Sequence, residues 1–125
     1  MYKILIIDDS SAITERLQLC LQQEGYDVST AENGYRGLEL IRESTPDLVI
    51  TDILMPVMDG IEVVLYLKKN FPKVKVIAMT SGGFFKATEY LNVIKQFGVD
   101  YTLVKPFRDN YLKNIVLGLT SKVAV

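Results

Sequence analysis

Two apolar rhythms alternate along the chain. Lys3 to Ile7 is a short run rich in isoleucine and leucine with polar flanks, which predicts a buried strand. Ile13, Leu17, Cys20 and Leu21 then recur at helical spacing behind Ser10-Ser11, either of which can cap a helix, and Gly25 closes the pattern. Tyr26 to Ala31 predicts a second, weaker strand. Asn33-Gly34 signals a turn or helix start, and Leu38 and Ile41 mark a short helix ending before Pro46. Asp47 to Thr51 is the next buried strand, after which Met55-Pro56 breaks the chain. Asp59-Gly60 opens a third helix, with Asp59 as cap and Ile61, Val64 and Leu65 facing inward, and Asn70-Phe71-Pro72 ends it. Val74 to Met79 predicts the fourth strand, and Thr80-Ser81-Gly82-Gly83 a flexible loop at its carboxyl end. Ala87, Leu91 and Ile94 give a fourth helix its face, with Gly98 just past its end. Tyr101 to Val104 predicts the fifth strand, and Leu112, Ile115, Val116 and Leu119 a fifth helix.

Strand and helix thus alternate five times. Buried strands in that order imply an α/β fold: a parallel sheet covered by helices on both faces. For five strands the common doubly wound, flavodoxin-like order is 2-1-3-4-5. Its switch point lies between the first and third strands, which sets Asp8 and Asp9 beside Asp52. With 125 residues the chain fits one domain, read as residues 1–119, with 120–125 as a tail expected to fray.

Composition narrows the function. Apolar residues make up 49% of the chain, so a core is affordable and disorder is excluded as a description. The 14 basic and 15 acidic residues are interspersed, with no basic block of the kind that binds nucleic acid directly. No apolar run approaches the roughly 20 residues of a membrane span, and Met-Tyr-Lys leads straight into the first strand, so a cytoplasmic location is the expectation. The single cysteine, Cys20, lies on the apolar face of the first helix and is read as core. Histidine is absent, which removes serine- and cysteine-nucleophile sites built on imidazole. Chemistry here must use carboxylates, hydroxyls, lysine and a metal.

Those groups sit at strand ends. Asp8 and Asp9 follow the first strand, Asp52 the third, Thr80 the fourth and Lys105 the fifth. The carboxyl ends of parallel strands are where such sheets bind ligands. Clustered acids repel unless a cation joins them. A carboxylate there can attack phosphorus, with Mg²⁺ neutralising the meeting anions. Asp9, with Asp8 beside it, suits the metal anchor; Lys105 offers a fixed positive charge and Thr80 a hydroxyl donor. Singly, each has a plainer reading as cap, turn former or solvated loop residue. Their convergence at one sheet edge carries the argument.

Taken together, Asp8-Asp9, then Asp52 with Ile-Leu-Met-Pro-Val-Met-Asp-Gly, then Thr80, then Lys105-Pro106-Phe107 resemble the receiver domain of bacterial response regulators. The resemblance spans Lys3 to about Leu119. It implies Asp52 as phosphoacceptor, Mg²⁺ bound by Asp9, Asp52 and the Leu54 backbone carbonyl, and Asp8 assisting through water. It implies Lys105 contacting the phosphoryl group and Thr80 moving toward it. The donor would be a phosphohistidine on a sensor histidine kinase or phosphotransfer protein. A downstream effector would read the face of the fourth helix, fifth strand and fifth helix, where Tyr90, Tyr101 and Tyr111 are candidates. The chain would be no enzyme beyond self-phosphorylation and autodephosphorylation. It would be a monomer or a phosphorylation-favoured dimer. A stand-alone regulator is the expectation, a receiver cut from a longer chain the alternative.

The sequence departs from the family pattern in places. Thr102 stands where the family usually has a switch aromatic, with Tyr101 next to it on the opposite strand face. Gly82-Gly83-Phe84-Phe85 suggests a longer loop before the fourth helix. Leu54 and Gly82 occupy positions that in the family influence how water reaches the acyl phosphate. Leu54 also weighs against an aspartyl phosphohydrolase, which commonly needs a second acid there. An FMN-binding module would want a phosphate cradle where Asp8-Asp9-Ser10-Ser11 repels phosphate. A receiver that no longer uses phosphate is the remaining alternative.

Overall fold

The structure, a computed structural model, describes residues 1–55, 58–81, 89, 92 and 94–120. Five strands, β1 (Lys3–Ile7), β2 (Asp27–Ala31), β3 (Leu48–Asp52), β4 (Lys75–Ser81) and β5 (Tyr101–Lys105), form one parallel sheet in the order β2-β1-β3-β4-β5. The expected strand order is therefore observed. Helices α1 (Ser11–Gln22), α2 (Gly34–Glu43), α3 (Gly60–Asn70) and α5 (Asp109–Thr120) flank it, and helical residues at 89, 92 and 94–96 mark α4.

Strand side chains alternate faces, so each strand feeds two cores. Ile4 and Ile6, Leu48 and Ile50, Ile77 and Met79, and Leu103 pack with Leu17 and Leu21 of α1 and Leu112 and Val116 of α5. Leu5, Ile7, Val49, Val76 and Ala78 pack on the other face with α2, α3 and Ile94. The central strands are apolar on both faces because both are covered. Cys20 is buried in α1 as expected, and burial pushes its thiol up from the usual value.

Local chemistry sets most boundaries. Ser10, the first of the two candidate caps, accepts from the Ile13 amide at 3.4 Å and starts α1. Asn33 accepts from the Arg36 amide at 2.8 Å and starts α2. Gly25 and Gly98 have φ of 91° and 86°, the left-handed region where a side chain is strained, and each follows a helix. Phe71 closes α3.

Three expectations change. In α3 the inward residues are Val63, Val64 and Leu67, while Leu65 is exposed and Ile61 half-buried. At about 100° per residue Leu65 falls off the stripe that Val64 shares with Leu67. Asp59 occupies the cap position of α3, but only its backbone carbonyl is used; its side chain makes no capping bond. Thr80 and Ser81 belong to β4, because β5 pairs with them through Thr80–Val104 and Ser81–Lys105. Gly82, Gly83, Phe84, Phe85, Ala87, Tyr90 and Leu91 lie outside the described residues, as do Pro56, Val57 and residues 121–125.

Gly118 lies inside α5, exposed, with open space where a Cβ would stand. Gly118→Ala is expected to stabilise the chain by about 0.5–1 kcal/mol through unfolded-state entropy. A urea melt checks this, with a shifted midpoint and an unchanged slope.

Candidate functional site

The carboxyl ends of β1, β3, β4 and β5 meet at one edge. β3 carries Asp52 as its last residue, and β5 carries Lys105 as its last. Asp8 and Asp9 follow β1, where the chain leaves the sheet for α1. Asp8, Asp9 and Asp52 each offer a carboxylate oxygen, and these lie within 4.8 Å of one another. The sequence-expected juxtaposition across the switch point is therefore present.

The three acids are not equivalent. The Asp8 side chain is fully buried; one oxygen accepts from the Ser10 amide at 2.9 Å and the other from Lys105 Nζ at 2.9 Å. Asp9 is exposed at the mouth. Asp52 is buried, and its Oδ2 accepts from Lys105 Nζ at 3.4 Å. Lys105 thus bridges two carboxylates and is itself mostly covered. Burial pushes the Asp52 carboxyl up to about 6; Lys105 opposes this, and Asp8 and Asp9 add to it. A carboxylate held in that state gains from any further cation. The ligand atoms that Asp8, Asp9 and Asp52 offer are all oxygens, which fits a hard divalent ion that retains several waters.

Thr80 is fully buried, and its hydroxyl has no hydrogen-bond partner among the described residues. A buried hydroxyl without a partner costs about 1–3 kcal/mol. It stands one residue before Ser81, which pairs with Lys105 in the β4–β5 register. Leu54, two residues after Asp52, is 48% exposed.

The peptide after Asp52 is gripped by backbone. The Ile53 amide donates to the Met79 carbonyl at 2.9 Å, and the Gly60 amide to the Ile53 carbonyl at 2.8 Å. A Cβ at Gly60 would strike the Asp52 carbonyl and the Ile53 Cα, both backbone atoms that cannot swing aside. Gly60→Ala is therefore expected to cost about 1–3 kcal/mol by overpacking, read as a lower urea midpoint. The sequence marks Gly60 as a helix start and as the end of the motif that opens on Asp52. Its contact with Asp52 is a tertiary fact. Thr51, whose hydroxyl donates to the Asp52 carbonyl at 3.0 Å, shows in the sequence only as the end of a strand.

The chain matches the response regulator receiver domain model over residues 4–117. The chain belongs to the response regulator receiver family. It is 35% identical over 84% of its length to the alkaline phosphatase synthesis transcriptional regulatory protein PhoP of Bacillus subtilis, of which it spans 42%. It is 33% identical over 91% of its length to sporulation initiation phosphotransferase F of the same organism, of which it spans 90%. A crystal structure of a Thermotoga maritima response regulator in complex with Mg²⁺ and BeF superposes with a TM-score of 0.83, at 36% identity, over 95% of this chain and 99% of that one. Receiver domains are phosphorylation-controlled switches of two-component signalling. They work with histidine kinases or phosphotransfer proteins on one side and effectors on the other. No described helix of this receiver is long and apolar enough to cross a membrane.

Two of the three tyrosines considered for an output face, Tyr101 and Tyr111, are among the described residues. Tyr101 and Tyr111 are exposed, and their hydroxyls lie 3.2 Å apart. Tyr101 therefore turns toward α5. Thr102 pairs with Ala78 and, by alternation, faces the other side of the sheet.

Proposed function

We propose that Asp52 accepts a phosphoryl group from a phosphohistidine on a partner sensor kinase or phosphotransfer protein, and that this switches the chain's output surface. The observation carrying this is the triad of carboxylates within 4.8 Å with Lys105 bridging Asp8 and Asp52. The reading takes residues 1–119 as the domain, with α5 running one residue further to Thr120 and the rest as tail. In the transfer, an Asp52 carboxylate oxygen attacks phosphorus. The P–N bond to the donor imidazole breaks, its electron pair stays on nitrogen, and an aspartyl P–O bond forms.

Asp9, Asp52 and the Leu54 backbone carbonyl would hold Mg²⁺, with Asp8 assisting through water. Mg²⁺, when bound there, supplies the positive charge that lets two anions meet. Lys105 keeps Asp52 ionised against burial and then pairs with the phosphoryl oxygens. Thr80, buried and without a partner among the described residues, gains a partner when a phosphoryl group arrives. That differential gain favours one of two states, which is what a switch needs. The exposed Tyr101–Tyr111 pair supports β5 and α5, together with α4, as the surface an effector reads. Beyond its own phosphorylation and dephosphorylation the chain catalyses nothing in this reading.

Intact mass after incubation with Mg²⁺ and acetyl phosphate tests it. One added phosphoryl group is expected, absent without Mg²⁺ and absent in Asp52→Asn. An adduct of equal stoichiometry in Asp52→Asn would move the acceptor elsewhere.

A further inference from the structure

Thr51 is the polar residue in an otherwise apolar stretch, Leu48-Val49-Ile50-Thr51, and it is fully buried. Valine would fill the same space and suits a strand at least as well. Burying a hydroxyl is unfavourable unless it is bonded. Its partner is the Asp52 carbonyl, at 3.0 Å. That carbonyl needs one. The β1–β3 pairing ends at Ile7–Thr51, the Asp8 amide continues the β1–β2 ladder to Ala31 at 3.1 Å, and no backbone amide among the described residues donates to the Asp52 carbonyl. The Asp52–Ile53 peptide is therefore held at its amide by the Met79 carbonyl of β4, packed against by Gly60 of α3, whose own amide bonds the following carbonyl of Ile53, and held at its carbonyl by Thr51. The first two act through backbone. The third is a side chain placed one residue before the site's central carboxylate.

We propose that Thr51 is a positioning residue for Asp52: its hydroxyl pins the Asp52 peptide and so aims the carboxylate. This rests on Asp52 as the phosphoacceptor. Attack on phosphorus depends on tight alignment, so a loosened peptide slows transfer while leaving the fold in place.

The test compares Thr51→Val, Thr51→Ser and the wild-type chain. Uptake from acetyl phosphate with Mg²⁺ should slow about five- to ten-fold in Thr51→Val, the factor expected for one lost hydrogen bond. Its melting temperature should fall by no more than a few degrees, because valine fills the space and only the Asp52 carbonyl loses its partner. In the metal-free chain, amide exchange at Ile53 should quicken by a similar factor, and Thr51→Ser should restore both readouts. Wild-type uptake and exchange in Thr51→Val would overturn the positioning role while leaving Asp52 as acceptor. If valine lowers the melting temperature by more than that, serine decides: wild-type uptake supports the role, and slowed uptake overturns it. A wild-type chain that takes up no phosphoryl group removes the acceptor reading and this inference with it.

Discussion

Asp52→Asn is expected to do two opposite things: abolish phosphoryl uptake and raise the melting temperature of the metal-free chain at neutral pH. The first follows from losing the nucleophile. The second follows from burial, which lifts the Asp52 carboxyl from its ordinary 3.8 to about 6. The folded chain then holds that proton more tightly than the unfolded chain does. Between these values the folded state binds more protons, so stability falls as pH rises through the window. Above about pH 6 the full cost is present, and below about pH 4 it vanishes. The shift would correspond to about 3 kcal/mol if nothing screened it, and water at the open mouth reduces this to about 1–2 kcal/mol. Asparagine removes that cost, for a gain of roughly 3–8 °C. Melts of both chains from pH 4 to 7 without Mg²⁺ check the sign: the gap should open with rising pH. A gap that is constant, or that closes, would mean burial does not hold the Asp52 carboxyl above its ordinary value.

Lys105→Ala is the complementary case, with the larger loss. Lys105 Nζ stands 2.9 Å from Asp8 and 3.4 Å from Asp52, and all three side chains are largely covered. Removing one partner of a buried pair leaves its charge uncompensated, which typically costs about 3–5 kcal/mol. Here two carboxylates lose their cation, with Asp9 adding repulsion. Water at the mouth moderates this to about 2–4 kcal/mol. The variant should melt well below wild type at neutral pH without metal. Millimolar Mg²⁺ should return part of the loss, because a divalent ion replaces the missing charge. Magnesium binding should survive the substitution while switching fails. The readout is a pair of melts, with and without Mg²⁺, beside an effector-binding assay. A variant that melts as wild type in both conditions and still switches would make Lys105 a bystander.

Much of the site was legible in the sequence because parallel sheets gather ligands at their strand ends. Asp8, Asp9, Asp52 and Lys105 each stand where an apolar run stops, and the alternation of strand and helix implies the topology that joins them. Boundaries were less legible. Thr80 reads as a loop hydroxyl because Ser81-Gly82-Gly83 follows it, yet pairing with Val104 on β5 extends the strand through it. The inward face of α3 also differed: Leu65 is as apolar as Val63, and only the packing surface decides which is covered.

What the sequence determined by itself is the order of elements, the two-faced burial of the central strands and the chemical inventory. Hydrophobic period and the absence of histidine are properties of a one-dimensional string. What only the tertiary structure decided is which groups touch. Lys105 lies 97 residues from Asp8 and bonds to it; Gly60 fits against the Asp52 carbonyl; Thr51 bonds that carbonyl just past the last β1–β3 pair. Such contacts are fixed by strand register and by the angle at which a helix meets the sheet. Both depend on how all the side chains pack at once, which no local pattern encodes.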